Sequence, residues 1–500
     1  MRALLSLPLV AGALVVGAAG CGNSSSSDPL DNALSYMPKS TPVVVAIDTN
    51  LTSDQAKKVG KLIDKFGPVG TQFKNGIKQG IRSGSNGVSF DTDIKPLLGN
   101  DLVVGIPNAS SLRSNASTPT IEAITTKDAG KAKSVIAKGS TKVGSSHGAD
   151  VYKDNSGGTF TAVEGDTIVG ASTQPLLDAA LARHDGGDHM TKDDFNKALG
   201  DLDKSAIVRV AGDLQSIIKA SARAGQATKV PWVGALRQFG ATASAQDNGV
   251  AIDFQVQTQG LKEADLPIAS GASAPPVVKR PGEIGLGIRN PQQIYNFAIS
   301  ALQTVNPKQF GQFVAAKQQI GTKLGVDIDK DILGQLTGNA SISIVPNANN
   351  KFAARADLKN PAAFKTALAK AAKGLPALAK QFGGGSVAVS APKGGNGFYA
   401  LADRKTRQRL IFGVVRNSFV VASDPARAGA IATQSASTVA GAQGSVVLDL
   451  DLRTLVNQQL QKRGLPPVLQ AFTGSLGDLV GYLKADTNSL RGNFTLHVTG

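Results

Sequence analysis

A chain of 500 residues, 41% apolar and 18% charged, is long enough for two to four domains and too apolar for global disorder. One Cys and four His exclude a disulfide framework and a CxxC-type zinc or redox centre, so no metal and no cofactor is expected. The net charge of +16 points to association with an anionic partner or to solubility, and says nothing about fold.

The chain opens Met1-Arg2 and then runs without charge from Ala3 to Gly20. An early Arg, an apolar run and small residues before a cut are the parts of a secretory signal peptide, assigned to residues 1–20. Gly, Ala and Pro8 dilute the run, and no basic stop-transfer cluster follows it, which argues against a spanning helix. Cys21 stands where a bacterial lipobox places its lipid-bearing cysteine, although Ala18 occupies a position where such boxes more often carry Leu. Acylation would make Cys21 the new N-terminus, and two acyl chains hold a protein where one does so only marginally. Residues 21–35, with four consecutive Ser, read as a lipid-anchored flexible tether.

Beyond the tether the same order of features occurs twice. Val43 to Asp48 precedes a helix with Val59, Leu62, Ile63, Phe66, Val69, Phe73, Ile77 and Ile81 at three-to-four spacing, one apolar stripe. Glu283 to Arg289 precedes another, with Ile294, Phe297, Ala301, Leu302 and Val305, then Phe310, Phe313, Val314 and Ile320 after Pro307. Asp91 to Gly99 parallels Asp327 to Gln335, and Asp101 to Asn108 parallels Ala340 to Asn347. Hairpins at Thr159–Ser172 and Leu410–Ser423 follow, then Ala206–Asp213 beside Ser445–Asp451. The expected class is α+β: two tandem copies of a largely antiparallel-sheet unit, residues 36–260 and 282–500, with helices packed on one face. Residues 261–281, with Ala274-Pro275-Pro276, form the linker.

Tyr36 to Asp48, the long helix after it, Asp93-Ile-Lys-Pro-Leu-Leu-Gly99 and Asp193-Asp-Phe-Asn-Lys-Ala-Leu199 together resemble a family. They are similar to bacterial envelope lipoproteins, common in actinobacteria, that carry the domain of unknown function numbered 3352. The resemblance implies an exported, duplicated domain, and it implies no activity and no catalytic positions.

The local motifs have bland explanations. His184-Asp-Gly-Gly-Asp-His189 offers metal-ligand types, but neighbours in one loop rarely converge on the four positions zinc needs, so a solvated inter-helix turn is expected. Asp327, Asp329 and Asp331 start like a calcium loop, yet Ile332 and Gly338 stand where Gly and Glu are required. Helix capping explains them, as it does Asp93, Asp213 and Asp451. Ser216-Ile-Ile-Lys219 matches an SxxK tetrad without its companion motifs, and an amphipathic helix accounts for it. No catalytic residue is assigned.

Residues 36–260 carry 25 Lys/Arg against 22 Asp/Glu, whereas residues 261–500 carry 27 against 13. Arg404, Lys405, Arg407 and Arg409 concentrate this charge at a hairpin tip, as contacts for an anionic surface of phospholipid headgroups or wall polymers. Nucleic acid is a poor partner for an exported chain with 5% aromatic residues. The expected function is therefore a non-enzymatic, membrane-anchored envelope scaffold or binding module. A carrier of apolar ligands in a concave sheet is the alternative, and an envelope-modifying enzyme comes third.

Overall fold

The computed structural model describes residues 28–84, 88–113, 118–155, 158–221, 224–346, 351–381, 387–390, 397–403, 408–463 and 473–499. Residues 28–35, expected within the flexible tether, belong instead to the folded body: helix α1 (Pro29–Leu34) begins where Asp28 accepts the Leu30 N–H, and it buries Leu30, Ala33 and Leu34 in the core. Strand β1 (Val43–Asp48) leads to α2 (Asp54–Asp64), capped by Ser53, and then to α3 (Gly67–Gly84). The apolar stripe read as one helix is thus broken. Gly67 takes φ +55 and Pro68 lacks an N–H, so the intrahelical ladder cannot continue through them.

Strands β2 (Asp101–Ile106) and β3 (Ile121–Thr125) come next, followed by helix α4 (Ala129–Gly139). A meander follows: β4 (Ser140–Ser146), β5 (Ala149–Asp154), β6 (Phe160–Glu164) and β7 (Thr167–Ala171). Helices α5 (Gln174–Gly186) and α6 (Lys192–Leu199) precede β8 (Val208–Asp213). Short helices α7 (Leu214–Lys219), α8 (Ala224–Ala227) and α9 (Pro231–Ala235) lead to the long hairpin β9 (Leu236–Gln246) and β10 (Gly249–Thr258).

The chain continues through β11 (Ile284–Arg289), α10 (Pro291–Val305) and α11 (Pro307–Leu324). Then come β12 (Asn339–Ile344), β13 (Phe352–Asp357) and α12 (Pro361–Gln381). Strands β14 (Val387–Ser390), β15 (Phe398–Asp403), β16 (Arg409–Val415) and β17 (Ser418–Ala422) form a second meander. Helix α13 (Pro425–Thr433), β18 (Val446–Asp451), α14 (Leu452–Arg463), β19 (Leu476–Ala485) and β20 (Ser489–Val498) complete it.

The α+β class and the antiparallel pairing hold, but the expected arrangement of two tandem units does not: all twenty strands belong to one continuous sheet. The pairings run β4-β5-β6-β7-β3-β2-β1-β8-β9-β10, then β20-β19-β18-β11-β12-β13-β17-β16-β15-β14. The join is the antiparallel pair β10–β20, in register from Gly249↔His497 to Gln257↔Ser489. Left unpaired, each of these strands would expose a row of backbone N–H and C=O groups, and pairing removes both edges at once.

Helices also cover both faces of the sheet rather than one. Val44, Val103, Val169 and Ala211 pack against Leu34 of α1, Leu177 of α5 and Phe195 of α6. The neighbouring Ile168, which points the other way, packs with Val163 and with Val135 of α4. In the same way Val420 meets Ile431 of α13, while Val421 lies with Phe364 and Leu368 of α12. A strand buried on both sides reads as an apolar run, so it carries no alternation that tells how many faces are covered.

Residues 261–281 are built into the body. Leu266 and Ile268 pack with Ala485, and Val277 bridges to Ser437.

Candidate functional site

Cys21, Arg404, Lys405 and Arg407 lie outside the described residues. Arg409 is exposed at the start of β16, opposite Ala402 of β15, and Asp403 N–H donates to the Gln408 carbonyl at 3.0 Å.

The other motifs resolve into structural roles. Ser216 donates its hydroxyl to Asp213 at 2.6 Å, and Asp213 also accepts the N–H groups of Gln215 and Ser216. The SxxK serine thus belongs to the N-cap of α7 and is held by a carboxylate rather than by Lys219. Asp451 accepts the Thr454 N–H at 2.9 Å and the Thr454 hydroxyl at 2.7 Å in the same way. Asp327 accepts from Asp329 N–H and Lys330 N–H, so the acidic triplet caps a turn. Asp93 is buried, accepts from Ser89 N–H at 2.9 Å and pairs with Lys138 at 2.9 Å. Those bonds hold its carboxyl well below the usual carboxylate range.

His184 lies in the last turn of α5, its ring stacked on Tyr36 with centroids 4.5 Å apart and planes at 9°. Gly187 ends the helix in the left-handed conformation at φ +79, so the expected solvated turn begins only there, and His184 belongs to the helix and is partly buried. Tyr36 is fully buried; burial and the nearby Glu164 raise its phenol above the ordinary value. Among the described residues, no group of three or more His, Cys, Asp or Glu is placed to hold a metal ion.

Two buried charge networks carry no local sequence signal. Arg427 of α13 donates to Glu283 at 2.7 Å and to the Ser343 hydroxyl at 3.2 Å, and Ser343 donates to the other carboxylate oxygen. All three are buried. Burial pushes the Glu283 carboxyl up, but the bonds from Arg427 and Ser343 outweigh it and leave the group below its ordinary value. The cavity beside them, about 10 Å³, has room for about one water. Arg209 of β8 similarly pairs with Asp101 of β2. There burial wins, and the Asp101 carboxyl is raised despite Arg209.

Two adjoining concavities lie along β18 and β19, one walled by residues 277–281 and the other reaching β20 and the β9–β10 turn. Cavities of about 320 and 670 Å³ share Asp451 and Asp478, which face each other across the β18–β19 ladder. Lys279, paired with Asp449 at 2.7 Å, walls the first; Lys65, Arg453 and His497 wall the second. Burial would raise the Asp451 carboxyl, but the Thr454 bonds and the charge of Lys279 hold it below its ordinary value. Lys65 donates to the Val498 carbonyl at 3.3 Å and Arg453 to the Leu476 carbonyl at 2.7 Å, so the walls are polar. Lys65 and His497 are 432 residues apart in sequence, so only the β10–β20 join creates this wall.

The strands and helices define an antiparallel α+β fold with this polar cleft beside the sheet join. Residues 3–379 match the family model described as "Protein of unknown function (DUF3352)", and the chain belongs to that family. No curated protein matches it. Among solved structures it is similar to TP0453: crystal form III at 9% identity over 48% of this chain and 83% of that one, with a TM-score of 0.28. Crystal form I gives 12% identity over 48% and 81%, also with a TM-score of 0.28. Likeness at this level fixes no detail of the architecture.

Proposed function

We propose that this protein is an exported envelope lipoprotein, anchored through a diacylglyceryl group on Cys21, that acts as a non-enzymatic scaffold or binding module. The observation that carries the reading is the chain's only cysteine, placed directly after the uncharged run Ala3–Gly20 and seven residues before Asp28, which caps α1. Seven residues span at most about 25 Å, so the anchor would hold the folded body close to the bilayer. The actinobacterial envelope is the setting that the family resemblance suggests. Engagement of Ser216, Asp451 and Glu283 in caps and ion pairs favours a scaffold over an enzyme. Among the described residues no helix is long and apolar enough to cross a membrane.

Cell fractionation of a Cys21→Ser variant tests this. Wild type should stay with membranes through a high-salt wash and leave in detergent, and the variant should appear in the soluble fraction or remain unprocessed. A variant that is processed and still retained as wild type is would overturn the anchor.

A further inference from the structure

Half of the excess positive charge of residues 261–500 sits on one layer of helices. Helices α10, α11 and α12 pack in sequence against one another and contain seven Lys and no Asp or Glu. Of these lysines only Lys317 has an ion-pair partner among the described residues, Asp329 at 2.6 Å. Lys308, Lys323, Lys365, Lys370, Lys373 and Lys380 are all exposed.

The apolar side of α10 and α11 is unusual as well. No residue of α10 is buried, and in α11 only Gly321 is. Phe297, Leu302, Val305, Phe310, Phe313 and Val314 recur at helical spacing, yet none of them joins a hydrophobic cluster of the described core. Ile294 and Leu324, at the two ends of the hairpin, do join such clusters and pin it to the body. Val305 is 41% exposed. A globular helix normally buries such a stripe, because apolar area left in water forfeits about 25 cal/mol per Å².

A helix pair that leaves five large apolar side chains only partly buried and Val305 exposed, beside lysines and with no acid of its own, has the composition of an interfacial element. Its apolar side enters the headgroup boundary and its lysines meet anionic lipid. We infer that the α10–α12 layer docks onto the surface of an anionic phospholipid bilayer. The inference rests on the proposed anchoring only in that the anchor brings this layer to a membrane; the contact itself is made by the helices.

The test places one probe on the layer. In the full chain carrying Cys21→Ser, Leu302→Cys supplies the only thiol, which takes an environment-sensitive fluorophore. Vesicles of phosphatidylglycerol and phosphatidylcholine should shift its emission to the blue and raise its intensity at least about twofold. Lys308→Glu with Lys323→Glu should weaken that response about tenfold or more, at unchanged thermal stability. The same label at the exposed Gln318 serves as a control and should respond less.

No response to anionic vesicles would overturn the proposal, as would an equal response to pure phosphatidylcholine. So would a response to a soluble polyanion with none to vesicles, which would instead mark a wall-polymer contact. Because the label reports only its own surroundings, failure here leaves the Cys21 anchor standing, and loss of the anchor leaves this docking measurable.

Discussion

Phe254 of β10 stands opposite Gly492 of β20, and its ring fills the space that a side chain at position 492 would need. A Cβ there would lie 2.2 Å from the Phe254 ring, and one on Gly481 would lie 2.4 Å from the Phe494 ring. The two phenyl rings stack at 6.3 Å across the join. Glycine and aromatic residues thus interlock where the two parts of the sheet meet, and nearby Asn493 donates to Asp253 at 2.7 Å.

Gly492→Val should therefore strain the join. Overpacking of this kind costs about 1–3 kcal/mol, read as a lowered midpoint in urea unfolding. Gly139→Ala, at a position where a Cβ meets nothing within 4 Å, should change stability by less than about 0.5 kcal/mol. Equal effects for the two variants would mean that the interlock contributes nothing.

The Arg427–Glu283–Ser343 network sets a second expectation. Arg427→Ala leaves a buried carboxylate without its cation and should cost about 3–5 kcal/mol. Arg427→Met combined with Glu283→Gln removes both charges and should be distinctly less destabilising. A double variant as unstable as Arg427→Ala would show that the cost lies in packing and not in the orphaned charge.

The same network predicts a pH dependence. The folded Glu283 carboxyl lies below its ordinary value of 4.5, so the unfolded chain takes up this proton first as pH falls. The stability it contributes is fully present above about pH 4.5 and is lost as pH drops through the folded value. Urea titrations from pH 7 to pH 3 should show a shallower acid limb for Glu283→Gln than for wild type. Parallel limbs would contradict the assignment.

The capping role of the SxxK serine is also testable. Asp213→Ala should cost about 1 kcal/mol, as the loss of an N-cap does, and Lys219→Ala less than about 0.5 kcal/mol because that side chain is exposed.

These features were unequally legible in the sequence. Asp213 and Asp451 could be read as caps because capping is a contact between residues two or three apart. The break at Gly67-Pro68 was also written there, but it was masked by an apolar stripe that continues beyond it in phase. Arg427 and Glu283 are 144 residues apart, and nothing local distinguishes that arginine from one facing solvent. The β10–β20 join escaped notice for a related reason. Alternating strands such as Val250 to Thr258 declare that they pair, but not with which partner. The basic charge after residue 260 is legible by counting, while its grouping on α10–α12 needs the packing of three helices to appear.

The account depends most on the anchor, and the N-terminal peptide of protein extracted from native membranes tests it directly by mass spectrometry. The account predicts that this peptide begins at Cys21 and carries the mass of a diacylglyceryl thioether. A peptide that begins elsewhere, or a Cys21 with a free thiol, would contradict it.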